Sequence, residues 1–176
     1  MRKLFIIAAL ALAGASTSAA AMTPSQAKCP ASLAPVGLAA TATDSVLNFD
    51  EAAGIDPKLE AALDQLSKAC IAREHVAKDK QQDYVSYVPA ALIYTETKRR
   101  LEARSISTKV IDDAFGIGPG RRNPKSADLD EAAFSMALAK MKEGGVDITK
   151  LSDLALNELS TYVVTAGDMY RLAAIL

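Results

Sequence analysis

The chain has 176 residues, with 20 basic and 21 acidic side chains, a net charge of −1, half its residues apolar, no tryptophan, one histidine and two cysteines. A balance this close to neutral argues against a protein held on nucleic acid by a strongly basic face. A single histidine excludes zinc sites built from several imidazoles, and the length suits one domain around one core.

The N-terminus opens with Met1-Arg2-Lys3, continues through an apolar run from Leu4 to Gly14, and ends in small residues up to Ala21. A positive start, a short apolar stretch and an A-x-A site at Ala19-Ala20-Ala21 make residues 1–21 a predicted secretory signal peptide, cleaved before Met22. The apolar run falls well short of the roughly 20 residues that a spanning helix requires. Losing Arg2 and Lys3 leaves 18 basic against 21 acidic residues, a net charge of −3, in a protein expected in the periplasm of a Gram-negative bacterium or outside the cell. Two cysteines, Cys29 and Cys70, in an oxidising compartment predict one disulfide. Closing a loop of about 40 residues in this way is worth roughly 4 kcal/mol in the chain-entropy picture.

Residues 22–43 contain Pro24, Pro30 and Pro35 among Thr, Ser and Ala, and read as an extended arm. Residues 44–176 then form a single α-helical domain. Asp44 is placed to cap a short helix ended by Gly54. Asp56-Pro57 opens a stronger one, with Leu59, Ala62, Leu63, Leu66, Ala69 and Cys70 on one face. A second long helix is predicted over 84–104, kinked or started by Pro89, with Lys98, Arg99, Arg100 and Arg104 gathered where cations favour the helix C-terminus. A shorter helix over 105–115 runs into Gly116-Ile117-Gly118-Pro119-Gly120-Arg121-Arg122-Asn123-Pro124, too rich in glycine and proline for any regular element.

Asp128 with Glu131 forms a capping pair for the next helix, which stops at Gly144-Gly145. The last helix, opened by Asp147 or Thr149 and running to Leu176, has the longest apolar pattern and is the predicted centre of packing. Gly167 within it lowers helix propensity by about 1 kcal/mol, a cost tolerable where another backbone must come close. No alternating strand pattern and no internal repeat interrupts this series. The predicted fold is all-α, an irregular helical bundle of about four long and one or two short helices.

Chemistry is sparse. His75 lies among Arg73, Glu74 and Lys78, the setting of a solvated side chain, and no C-x-x-C-H motif attaches a haem. No metal or cofactor is therefore expected. Asp112-Asp113 and the group Asp128, Asp130 and Glu131 are carboxylates suited to acid–base work or calcium if the fold brings them together, but the D-x-[DN]-x-[DN]-G calcium loop is absent and the favoured reading is helix capping and solvation. Arg121 and Arg122, beside backbone N–H groups of the glycine-rich loop, are candidates to meet an anion; the alternative is a plain connection between helices. Tyr84, Tyr87 and Tyr94 fall within about 80° of one helix face. Such a stripe either roofs the core with its hydroxyls in water or forms a partner-binding surface. The function expected on these grounds is that of an exported helical binding protein without catalytic activity, recognising another envelope protein or a small ligand. The alternative is a carboxylate-dependent envelope hydrolase.

Overall fold

The computed structural model describes residues 22–52, 54–125 and 131–176. The signal-peptide reading of residues 1–21 and the roles given to Asp128 and Asp130 lie outside the described residues. Within them the chain is all-helical: α1 (Pro24–Leu33), α2 (Leu38–Leu47), α3 (Pro57–Arg73), α4 (Gln81–Ala103), α5 (Thr108–Phe115), α6 (Glu131–Glu143) and α7 (Asp153–Ile175), with short 3-10 turns at Lys78–Lys80 and Ile148–Lys150. No helix among the described residues is long and apolar enough to cross a membrane.

The two longest helices, α4 and α7, share the most extensive contact in the molecule. They run antiparallel. The N-terminal half of α4, through Tyr84, Val88 and Leu92, meets Met169 near the end of α7 in a first core with Leu59 and Leu66 of α3. Leu101 of α4 instead joins Leu159, Tyr162 and Val163 of α7 in a second core, closed by Ile111 and Phe115 of α5 and Met141 of α6. Tyr94 and Tyr170 pack against both cores and form the junction between them. The expectation that α7 alone organises the packing is thus only half met, since α1 and α3 lie on α4.

The predicted extended arm over 22–43 is replaced by α1 and α2, and each proline has a local reason not to break them. Pro24 occupies the first turn of α1, where its missing N–H costs nothing, and Thr23 closes a reciprocal capping box with Gln26. Pro35 falls in the connection between the two helices. Pro30 sits inside α1 and deprives the Gln26 carbonyl of its helical donor. That acceptor is satisfied from another helix: the Tyr84 hydroxyl donates to the Gln26 carbonyl at 2.6 Å. Next to it, the Tyr87 hydroxyl donates to the Ala27 carbonyl at 3.2 Å. The predicted disulfide between Cys29 and Cys70 is present and ties α1 to α3, with both residues buried.

Other boundaries shift for equally local reasons. Asp44 lies within α2 and does not cap it; the helix begins after Gly37, whose φ of 85° favours glycine. Asp147 caps the short 3-10 turn, and Ser152 takes the capping role for α7 by accepting from the Ala155 N–H. The expectation for Gly167 holds, because a Cβ there would stand 2.6 Å from the Pro124 carbonyl oxygen. The glycine lets the 116–124 loop rest on α7, where the Arg171 guanidinium donates to the carbonyls of Asn123 and Pro124 at 3.1 and 3.0 Å.

Replacing Tyr84 by Phe keeps the ring in the core but leaves the Gln26 carbonyl without a donor. The expected cost is about 1–2 kcal/mol, read as a lower urea midpoint with an unchanged slope.

Candidate functional site

The tyrosine stripe is the first place where the structure corrects a functional expectation. Tyr84 is 0% exposed and Tyr87 is 3% exposed, so neither can meet a partner while the domain is folded. Their hydroxyls are committed to α1, and burial pushes Tyr84 well above the usual phenol range and Tyr87 up to about 12. Tyr94 is half-buried. Its ring stacks on Tyr162 with centroids 5.3 Å apart, and its hydroxyl lies 3.4 Å from that of Tyr170. Helical spacing did not reveal what covers these rings, α1 over Tyr84 and Tyr87 and α7 beside Tyr94.

The Gly/Pro loop is organised by Asn123, a residue the sequence did not single out. Its side-chain oxygen accepts from the Gly118 N–H at 2.7 Å, and its amide nitrogen donates to the carbonyls of Gly118 and Arg121 at 2.9 and 3.1 Å. It is a non-glycine residue at φ 48°, a conformation that asparagine tolerates better than most. Arg121 is turned back onto α5, pairing with Asp113 at 2.7 Å and donating to the Asp112 carbonyl at 3.2 Å. Arg122 lines a separate cleft of about 250 Å³ with Phe115, Met136 and Lys140. Arg121 is thus engaged by α5, and it is not among the residues that line the cleft of Arg122.

The basic end of α4 is likewise neutralised. Glu96 accepts from Arg99 at 2.8 and 2.7 Å and from Arg100 at 2.8 Å, while Arg100 also reaches Asp44 of α2 at 2.6 Å. Glu158 of α7, 1% exposed, accepts from Arg104 at 2.9 Å. These contacts bind α2, α4 and α7 together. The Arg99 hydrogen bonds, followed by those of Arg100, outweigh desolvation and hold the Glu96 carboxyl at about 2.

Asp112 and Asp113 do not form a facing pair. Asp113 accepts from Lys109 at 2.6 Å as well as from Arg121, whereas Asp112 is directed inward and accepts from the Tyr162 hydroxyl at 2.8 Å. Desolvation raises the Asp112 carboxyl above its ordinary value, only partly offset by Tyr162 and Lys98. Asp112 also lines an open trough of about 560 Å³ between the end of α4 and the start of α5, shared with Lys98, Glu102, Thr108 and Lys109. Glu102 is engaged there by the Thr108 hydroxyl at 2.7 Å. No group of three or more metal-ligating side chains is assembled among the described residues, and His75 is exposed.

A different cleft is apolar. It holds about 300 Å³ between α3 and α4 and is lined by Ile55, Glu60, Leu63, Asp64, Ser67, Val85 and Pro89. Glu60, Leu63, Asp64 and Ser67 recur at helical steps along one face of α3, and Val85 and Pro89 face them one turn apart on α4. Ile55 at its edge is 53% exposed, and Phe49, in the same connection between α2 and α3, is 56% exposed. Sequence reasoning marked Pro89 as a kink or start of its helix but missed this groove, because the pattern along one helix does not show which face of a distant helix lies opposite.

No protein-family model matches the chain, and neither a curated protein nor a solved structure matches it.

Glu96 and Asp112 are shifted in opposite directions and predict opposite pH behaviour. Glu96 is depressed when folded, so its contribution is present above its unfolded value of 4.5 and is lost as pH falls toward about 2. Glu96→Gln should therefore be less stable than the parent at pH 7, with the gap closing below pH 4.5 in acid titrations of unfolding. Asp112 is raised when folded, so its charge works against the fold as pH rises. Asp112→Asn, whose side-chain oxygen can still accept from Tyr162, should be at least as stable as the parent at neutral pH.

Proposed function

We propose that this is an exported helical binding protein without catalytic activity, which recognises another envelope protein or a small ligand through the groove between α3 and α4. The observation that carries the reading is the groove itself. Its walls are predominantly apolar, it opens at the surface, and exposed Phe49 and Ile55 lie in the connection beside it. A contiguous apolar opening with a few polar groups at its rim is the usual form of a recognition site. Export is supported by the N-terminal pattern of residues 1–21 and by the buried disulfide. The capping box of α1 at Thr23 begins the helical domain just after the predicted cleavage site, so removal of the leader would leave every described helix intact.

A photoreactive side chain at position 55 should give a discrete adduct in envelope extract, and the same group at position 140 on α6 should not. Equal labelling from both positions, or none from position 55, would overturn the reading.

A second reading, a carboxylate-dependent envelope hydrolase, draws on the raised Asp112 carboxyl in the trough it shares with Glu102. It requires that the parent clear a cell-wall polymer embedded in a gel and that Asp112→Asn not do so. The expected result is no clearing by either protein.

A further inference from the structure

Helices α1 and α4 each contain an internal proline, and the fold treats the two differently. In α1 the carbonyl deprived by Pro30 receives the Tyr84 hydroxyl. In α4, Pro89 has no N–H to give to the Val85 carbonyl one turn back. No side chain among the described residues donates to that carbonyl in its place. Both Val85 and Pro89 line the apolar groove. The facing hydroxyl of Ser67 is turned away, donating to the Leu63 carbonyl at 2.8 Å. The Val85 carbonyl, which belongs to a residue lining the groove, thus lacks its helical N–H donor, and a donor that reached it amid apolar side chains would gain more than in open water.

The charge around the groove is one-sided. Residues 49–68 carry Asp50, Glu51, Asp56, Glu60 and Asp64 against Lys58 and Lys68 alone. Glu60 forms no ion pair among the described residues. Asp64 pairs with Lys68 at 2.7 Å, but both side chains are largely exposed, a kind of pair that contributes little and yields readily to a competing cation. An anionic lipid or nucleotide would face this rim across like charge, whereas a cationic partner would be drawn to it.

Resting on the binding reading above, we propose that the groove docks a basic amphipathic peptide segment of a partner protein. Its apolar side chains would seat on Ile55, Leu63, Val85 and Pro89, its lysines or arginines would meet Glu60 and Asp64, and one N–H or hydroxyl would reach the Val85 carbonyl. A groove of about 300 Å³ takes one or two large side chains, so the docking element is a short apolar stripe flanked by cations.

The test is fluorescence anisotropy on the full disulfide-bonded chain, with a labelled Lys/Leu amphipathic peptide and its Glu/Leu counterpart of the same pattern as probes. The Lys/Leu peptide should bind at least about tenfold tighter than the Glu/Leu peptide. The double variant Glu60→Lys with Asp64→Lys, both surface positions, should weaken it by at least about tenfold. Pro89→Ala, which restores the N–H to Val85 and leaves the rim charges untouched, should weaken it several-fold. Glu143→Lys, on remote α6, should leave it unchanged. Equal binding of the two peptides, or an equal loss from Glu143→Lys and the rim variant, would overturn the proposal. If position 55 still captures a discrete partner while the Lys/Leu peptide fails to bind, the basic-peptide assignment falls and the binding reading stands.

Discussion

The antiparallel seam between α4 and α7 is the contact on which the rest of the molecule depends. Each helix passes through both cores, so the two halves are built on the same pair of rods. Tyr94, Tyr162 and Tyr170 sit where the cores meet, with large rings filling the seam and polar tips bonded to one another or to Asp112. Aromatic side chains suit such a junction because they combine wide apolar area with one hydroxyl that can be satisfied locally. With few aromatics in the chain, their concentration here is what closes the middle of a structure otherwise built from alanine and aliphatic residues.

The N-terminal third shows how a sequence that looks unfavourable for helix can be held helical by its neighbours. Pro30 removes a hydrogen bond from α1, and Tyr84 restores one from α4. One residue before Pro30, Cys29 anchors the same turn to α3. A ten-residue helix is too short to persist on propensity alone. Here it has a covalent tie, two tyrosine hydroxyls and a capping box, which together set its position on the face that would otherwise expose Tyr84 and Tyr87. The tyrosines that resemble a binding surface are therefore the means by which the domain covers itself.

Charge is used in the same inward way at the other end of α4. The cations there are drawn to Glu96, Asp44 and Glu158, and the buried Glu158 would be costly without its guanidinium partners. The region around the α3–α4 groove is by contrast outward-facing, apolar and acidic, which the buried tyrosines and the paired arginines are not.

Much of this was legible in the sequence. Helical periodicity marked α3, α4, α5, α6 and α7, the glycine-rich run at 116–124 marked a loop, the two cysteines allowed a single intramolecular pairing, and Gly167 signalled a close backbone approach. Each of these is a local or combinatorial property, set by residues a few positions apart or by a count of two. The fate of Pro30, the burial of the tyrosine stripe, the neutralisation of Arg121 and the opening beside Pro89 were decided only by tertiary structure. Whether a proline is tolerated depends on whether something reaches the carbonyl it orphans, and for Gln26 that group lies 58 residues away on another helix. A helical pattern states which side chains share a face, but what covers that face depends on how distant segments pack.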